Sequence, residues 1–190
     1  MEQEALLKNL KIKNPAVLTE IVNQHADALL CAAWGLGWRG TDAEDLVQDV
    51  FVTFLGNCDR FEGRSTIKTF LFGILYNKTL EKRRDMSREQ ATDPIDDVFE
   101  ERFGQWGIWR TMPRGPEDES QSKETLAMIE ACVEALPTPQ RMAFYLREVE
   151  HEPTENLCKI LNITVTHLGV LLFRARNKVR ECVQKKWEKR

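Results

Sequence analysis

Basic side chains gather in two parts of this 190-residue chain, and phosphate binding is the chemistry that they could perform. One group, Lys78, Arg83 and Arg84, follows an apolar segment beside the polar Asn77, and the other is Arg174, Arg176 and Lys178. Lysine and arginine side chains bind phosphates and make affinity for nucleic acid depend steeply on salt. For the second group, the alternative is that cations simply suit the carboxyl end of a helix.

Aromatic residues lie among the cations of the first group. They are Phe61, Phe70, Phe72 and Tyr76, and a polar loop at 59–65 precedes most of them. Cations interleaved with aromatics are typical of single-strand binding, where unstacked bases need a surface on which to stack. The same aromatics at helical spacing also fit a protein core, and on spacing alone Phe70 is predicted to be buried.

An acidic amphipathic helix is predicted just before this segment, from Asp42 to Phe54. Apolar residues recur there with the period of a helix, and Thr41 or Asp42 is expected to cap it. Its polar face repels a phosphate backbone, so it is either a solvated face or a contact for a basic protein surface. That face consists of Glu44, Asp45, Gln48 and Asp49.

Enzyme chemistry finds no support in the sequence. It contains no glycine-rich phosphate loop, and residues of the catalytic-triad types are scattered. The five cysteines lie far apart, so we expect reduced thiols, no cofactor and no metal site; a site from Cys158, His167 and Cys182 is the alternative. The sequence shows no secretory signal and no apolar run of membrane-spanning length, which predicts a cytoplasmic protein without direct membrane insertion.

The elements that must position these residues are helical almost throughout. The periodicity predicts an all-α chain with one helical domain at 1–91, a flexible acidic linker at 92–122 and a second helical domain at 123–190. The linker contains Trp106 and Trp109, which either cover the surface of one domain or dock a partner.

The second domain is predicted to contain a helix-turn-helix. A short helix starting at Pro153-Thr154 is followed by the turn Asn162-Ile163-Thr164 and a long last helix. Because the first residues of a recognition helix face base edges, readout is expected from Thr164, Thr166 and His167, with Val170 contacting thymine methyl groups.

With these motifs in order, the chain resembles a bacterial RNA polymerase sigma factor of the extracytoplasmic-function class. The segment from Asp42 to Phe51 is similar to the family's helix that docks on the polymerase clamp. The loop from Phe61 to Ser65 resembles the one that receives a flipped base of the minus-ten element. Further matches, to the following helix and the minus-thirty-five domain, are Ile74–Asn77 with Arg83-Arg84, Leu136-Pro137 with Arg141, Leu157–Leu161 and Phe173–Arg176.

The resemblance implies a non-enzymatic factor that binds core RNA polymerase and directs promoter recognition and transcription initiation. It implies polymerase contacts at Asp45, Gln48 and Asp49. It implies minus-ten contacts at Asp59, Phe61, Glu62, Gly63, Arg64, Ser65, Asn77, Lys78, Arg83 and Arg84, and minus-thirty-five contacts at Thr164, Thr166, His167, Val170, Arg174, Arg176 and Lys178.

Three partners are implied: core polymerase, promoter DNA as duplex and melted strand, and an anti-sigma factor. The acidic linker is expected to occupy the polymerase channel. The rival interpretation is a stand-alone helix-turn-helix regulator, which leaves the segment from Asp42 to Asp85 without a role.

Overall fold

The structure is a computed structural model that describes residues 2–86 and 119–188. The predicted linker at 92–122 lies mostly outside the described residues, as do Trp106 and Trp109. The described residues form eight α-helices and no strand, and they group into two helical domains, as predicted.

The first domain consists of four helices in which α3 packs between α2 and α4. These are α1 (Glu2–Lys11), α2 (Pro15–Gly35), α3 (Gly40–Asn57) and α4 (Ile67–Met86), with a short 3-10 turn at Cys58–Arg60. Helix α2 begins as predicted, because the Asn14 side chain accepts a hydrogen bond from the Ala16 amide at 3.0 Å and proline follows the cap.

The apolar stripe predicted for α3 is confirmed in the core. Ala43, Leu46, Val50 and Phe54 are fully buried, because residues three and four apart share one face of the helix. The predicted cap is wrong, since the helix already begins at Gly40 and no side chain bonds its first amides. Arg39, in an extended conformation, precedes it.

The second domain packs its long last helix, α8, against the other three. Its helices are α5 (Glu119–Glu134), α6 (Thr138–Glu148), α7 (Thr154–Leu161) and α8 (Val165–Glu188). Helix α5 begins earlier than the boundary predicted at 123. The predicted helix-turn-helix is present: Asn162 takes a left-handed conformation (φ 54°), and α7 and α8 meet at 93°.

The two domains pack directly against each other. Helix α7 lies against α4, and α6 against α2, so that the largest buried apolar cluster runs through both domains. A smaller cluster between α5 and α8 contains Cys132, Leu136, Ala175 and Val179. Each domain therefore has two kinds of helix face: faces that are exposed to solvent, and faces that the other domain covers.

Candidate nucleic-acid interface

The start of α8 presents its polar residues to solvent. Thr164, Thr166, His167 and Val170 are all exposed, and they surround the turn that positions the helix. The Thr164 hydroxyl accepts a hydrogen bond from the His167 amide at 3.3 Å, which fixes the first turn of the helix. The arrangement leaves these side chains able to reach base edges in a major groove.

The cations farther along α8 differ in their surroundings. Arg176 donates to Glu148 of α6 through Nε at 3.0 Å and Nη2 at 2.7 Å, so its guanidinium is held against α6 within the second domain. Lys178 is exposed, and Arg174 is half-buried. Of the three predicted phosphate contacts, Arg176 is therefore the one restrained by a carboxylate.

The polar loop at 59–65 carries two solvent-exposed ion pairs. Asp59 lies 3.9 Å from Lys13, and Glu62 pairs with Arg64 at 3.0 Å. Gly63 has a φ of 72°, which side chains disfavour. Phe61 is buried at 7% exposure, with its ring centroid 5.3 Å from that of Phe70, so in this arrangement it anchors the loop to the core.

The aromatic side chains of helix α4 face the core, whereas some of its polar side chains face solvent. Phe72 and Tyr76 are buried, Phe70 is half-buried, and burial raises the pKa of Tyr76, as expected of core residues. Asn77 and Arg84 are exposed, while Lys78 is half-buried and pairs with Glu81 at 3.2 Å. In this structure the aromatics of α4 therefore pack as part of the protein core, which is one of the two alternatives that the sequence left open.

The polar face of α3 is open to solvent in the packed chain. Asp45, Gln48 and Asp49 are exposed, on the side opposite the buried stripe. Lys82 of α4 pairs with Asp49 at 3.0 Å and leaves the other two without that cation.

A lysine and two glutamates join the domains beside α7. The ammonium of Lys68 lies 2.9 Å from Glu150 and 2.8 Å from Glu152, and it stands 5.6 Å from the centre of the Phe72 ring. Asn156 donates to the second oxygen of Glu152 at 2.8 Å. Nearby, Lys159 of α7 donates to the carbonyl of Arg64 at 2.9 Å and so covers one side of the polar loop.

Arginines converge on the carboxyl end of α2 at the same boundary. Arg83 and Arg141 both donate to the Leu36 carbonyl, at 2.6 and 2.7 Å, and Arg83 also donates to the Thr138 hydroxyl at 2.6 Å. The negative end of the helix dipole favours cations there. A Cβ on Gly37 would lie 2.5 Å from Arg141 Nη1, and its φ of 90° already favours glycine.

Burial changes the acidity of both guanidinium groups. It lowers the pKa of Arg83, and together with the charge of Arg83 it lowers the pKa of Arg141 to about 10. Both remain cations at neutral pH. Arg83, predicted to contact the minus-ten DNA, is engaged between the domains in this arrangement.

The sequence analysis predicted two domains but none of the contacts between them. Glu150 and Glu152 lie in the connection between α6 and α7, where acidic residues are ordinary loop residues. Their only signal is that two carboxylates lie two positions apart, on either side of the exposed His151, which identifies no partner. The pairing with Lys68 depends on how two domains dock, and no local pattern encodes that.

The cysteines correct another expectation. We expected five reduced thiols, but α5 and α8 bring the Cα atoms of Cys132 and Cys182 within 5.8 Å, and the two form a disulfide. Cys31, Cys58 and Cys158 are free thiols. Among the described residues, no three His, Cys, Asp or Glu side chains are grouped as a metal site requires.

Known families match both domains. Residues 21–89 match the Sigma-70 region 2 family, and residues 126–179 match the Sigma-70 region 4 family. A probable RNA polymerase sigma factor of Haemophilus influenzae is 30% identical over 151 residues, which cover 76% of this chain and 78% of the relative. The chain belongs to the RNA polymerase sigma factors, in their extracytoplasmic-function class.

Another sigma factor relative extends this assignment. The ECF RNA polymerase sigma-E factor of Escherichia coli is 28% identical over 143 residues, covering 75% of this sigma factor and 74% of the relative. This is a family of non-enzymatic transcription initiation factors that act with RNA polymerase, so the chain directs transcription initiation. A stand-alone regulator would not account for the region 2 match.

Solved structures share the fold of this sigma factor. A structure of CnrH in complex with the cytosolic domain of CnrY has a TM-score of 0.67 at 21% identity, covering 97% of this chain and 99% of that one. The sigma factor RpoE of Bartonella quintana, in complex with the anti-sigma factor NepR, has a TM-score of 0.63 at 23% identity, covering 87% and 96%.

Within residues 2–86 and 119–188, no single helix combines the length and apolar character needed to cross a bilayer. Helices α7 and α8 meet the criteria of length and composition as a pair, with a 93° bend between them.

Proposed function

We propose that this sigma factor divides its contacts among three surfaces. The polar face of α3, with Asp45, Gln48 and Asp49, docks on core polymerase. The loop at 59–65 and the exposed side of α4 bind the opened minus-ten strand, and the start of α8 reads the minus-thirty-five element. The observation that carries the proposal is that Asp45 and Gln48 on one domain, and Thr166 and His167 on the other, are exposed on separate helices even while the domains are packed together.

The packed arrangement is proposed to be a resting form. By their names, the minus-ten and minus-thirty-five elements lie about 25 base pairs apart, which is about 85 Å at 34 to 36 Å for each turn of about 10 base pairs. Helix α4, with 20 residues, is only about 30 Å long, and it touches α7 directly. Domains in such contact do not reach both elements, so α7 must leave α4 when the promoter is bound. That separation would also break the contacts of Arg83 with Thr138 and of the loop at 59–65 with Lys159, so that both could bind the minus-ten strand.

A protein partner is proposed to hold the sigma factor in its resting form. The solved relatives named above were each found with a second protein, one of which is called an anti-sigma factor. A partner that contacts both domains would add its binding energy to the Lys68 and Arg141 contacts and oppose their separation. Because the polymerase and the chromosome are its targets, we place this chain in the cytoplasm.

Run-off transcription with purified core polymerase tests the assignment of the α3 face. The double variant Asp45→Ala and Gln48→Ala should bind core enzyme more weakly and yield less transcript, while its unfolding temperature stays the same, because both side chains are exposed. A matched control is Glu20→Ala with Asn23→Ala, an exposed acid and amide at the same spacing on α2. Normal pull-down of core enzyme by the first variant would refute the docking role.

The same assay tests the function as a whole. The unaltered chain should convert core polymerase into an enzyme that starts at a defined promoter. A chain that binds promoter DNA alone and adds no transcript would instead act as a helix-turn-helix regulator. The two outcomes are separated by measuring DNA binding and transcript from one preparation.

A further inference from the structure

The second domain carries an apolar groove that its own described helices do not fill. A cavity of about 630 Å³ lies between α5 and α8. Its walls are mainly apolar and include Ile129, Phe144, Val179, Val183 and Trp187. Trp187, near the end of the described residues, lines this cavity and is 40% exposed.

A second cavity of about 470 Å³ continues the groove towards the first domain. It shares Ile129 and Phe144 with the first cavity and adds Leu126, Val149 and Trp34. Leu126 is 57% exposed and Trp34 44%. Exposed apolar surface of this extent usually marks a binding site.

The part of the chain between Met86 and Glu119 has the composition of an occupant. It contains five large apolar residues within a short stretch, unlike the acidic and proline-containing sequence around them. These are Phe99, Phe103, Trp106, Ile108 and Trp109. Neither core docking nor base readout uses these residues.

The segment is also tethered at the groove. Thr125 and Leu126, in the second turn of α5, line its two halves. A chain from Trp109 to Glu119 can span up to about 33 Å, whereas α5, with 16 residues, is about 24 Å long. The segment can therefore reach any point along the groove. The short connection gives it an effective concentration of about millimolar there, which favours it over a dissociated competitor.

We propose that residues 99–109 occupy the groove between α5, α6 and α8 of the same molecule. The aromatic side chains would cover Ile129, Phe144 and Trp187. Charge agrees with this choice. Asp96 and Asp97 precede the segment and Glu100 and Glu101 lie within it, while Arg180 and Arg176, the latter also bonded to Glu148, border the groove on α8.

Photocross-linking of the full chain tests the proposal. A benzophenone amino acid replaces Trp106, the protein is irradiated at low micromolar concentration, and the cross-linked peptides are identified by mass spectrometry. We expect cross-links within one molecule to peptides of α5 or of α8 after Arg176. The same probe at Asp93 is the control and should give few of them. Cross-links between two molecules, or none to the groove, would overturn the proposal.

A charge placed in the groove gives a second, independent test. Leu126→Asp leaves the core intact, because Leu126 is exposed, and it should lower the yield of the Trp106 cross-link about tenfold through the lost apolar burial. Val52→Asp, on an exposed helical position of α3, is the matched control and should leave the yield unchanged. An equal yield in both variants would contradict the proposal. Transcription does not enter either readout, so failure here leaves the proposed function standing.

Discussion

The ammonium of Lys68 on α4 lies 2.8 Å from Glu152 on the loop before α7, across the boundary between the two domains. Glu152 is buried, and its second oxygen accepts from Asn156. Burying a carboxylate is costly unless it is paired and hydrogen-bonded. The hydrogen bond from Asn156 lies within the second domain, but the pairing with Lys68 exists only while the domains touch. The pair therefore links the ionisation of one side chain to the packing of the whole chain.

Lys68→Met should weaken the packing of the domains. It leaves Glu150 and Glu152 close together without their cation, at a cost of about 1 to 2 kcal/mol after allowance for partial exposure. Fluorescence energy transfer between a dye on each domain, or the radius of gyration in solution, should show a more open chain. Lys8→Met is the control, because its pair with Glu4 is exposed and contributes almost nothing. Equal compactness in both variants would show that the pair does not hold the domains.

The same contact makes the packing depend on pH. Burial would raise the pKa of Glu152, but hydrogen bonds from Lys68 and Asn156 outweigh it, so the pKa is lowered. Burial would also lower the pKa of Lys68, yet its bonds to Glu152 and Glu150 raise it. A lowered carboxyl pKa stabilises the packed form above the free value of about 4.3, and a raised lysine pKa stabilises it below about 10.4.

Compactness should therefore be constant between about pH 5 and 10 and fall as the pH drops through the pKa of Glu152. Solution scattering of the intact chain and of Glu152→Gln across this range checks the prediction. The variant should be more open at neutral pH and should lose most of the acid-induced opening. An identical acid profile in the two proteins would assign the opening to other carboxylates.

Gly35→Ala should also separate the domains, by a steric route. A Cβ at Gly35, the last residue of α2, would lie 2.5 Å from the ring of Tyr145 on α6. Tyr145 is buried and bonds Glu150 at 3.1 Å, so the ring cannot move without breaking that bond. Gly73→Ala is the control: its Cβ meets nothing within 4 Å, and the change should stabilise α4 by about 0.5 to 1 kcal/mol. Energy transfer between the domains should fall only in the first variant.

The sequence predicts the helices of this chain well because their signals are local. Spacing at three and four residues places Leu46, Val50 and Phe54 in the core, and Asn162 ends α7 in the left-handed conformation that its side chain tolerates. The start of α8 is predicted for the same reason. Its residues Thr166 and His167 are exposed, although their contact with DNA stays a prediction.

What the sequence does not predict depends on contacts between distant segments. The meeting of Arg83 with Leu36, and of Cys132 with Cys182, requires knowing which helices pack together. Phe61 illustrates the same limit: an aromatic in a polar loop suits base stacking, but burial against Phe70 is a tertiary choice. Helical spacing predicts that the candidate polymerase and minus-thirty-five residues are exposed, whereas the contacts that restrain the candidate minus-ten residues could not be predicted.

Reduction of the disulfide should destabilise the second domain. The bond closes a separation of 50 residues and ties α5 to α8 beside a small apolar cluster. Disulfides of this kind contribute about 2 to 4 kcal/mol. Thermal unfolding with and without dithiothreitol should show a lower midpoint under reduction, and Cys132→Ala should remove the difference. Cys31→Ala, at an exposed free thiol, should retain it.

Substitutions at the start of α8 and farther along it should have different effects on the binding of promoter DNA. Lys178→Ala should weaken binding to all sequences and reduce the slope of log affinity against log salt by about 1, because one phosphate contact is lost. Thr166→Ala with His167→Ala should leave that slope nearly unchanged and relax the preference for the minus-thirty-five sequence, since these side chains lie at the exposed start of the helix. Fluorescence anisotropy with matched and scrambled duplexes at several salt concentrations measures both effects. A change in sequence preference from Lys178→Ala, with no change in slope, would reverse the two assignments.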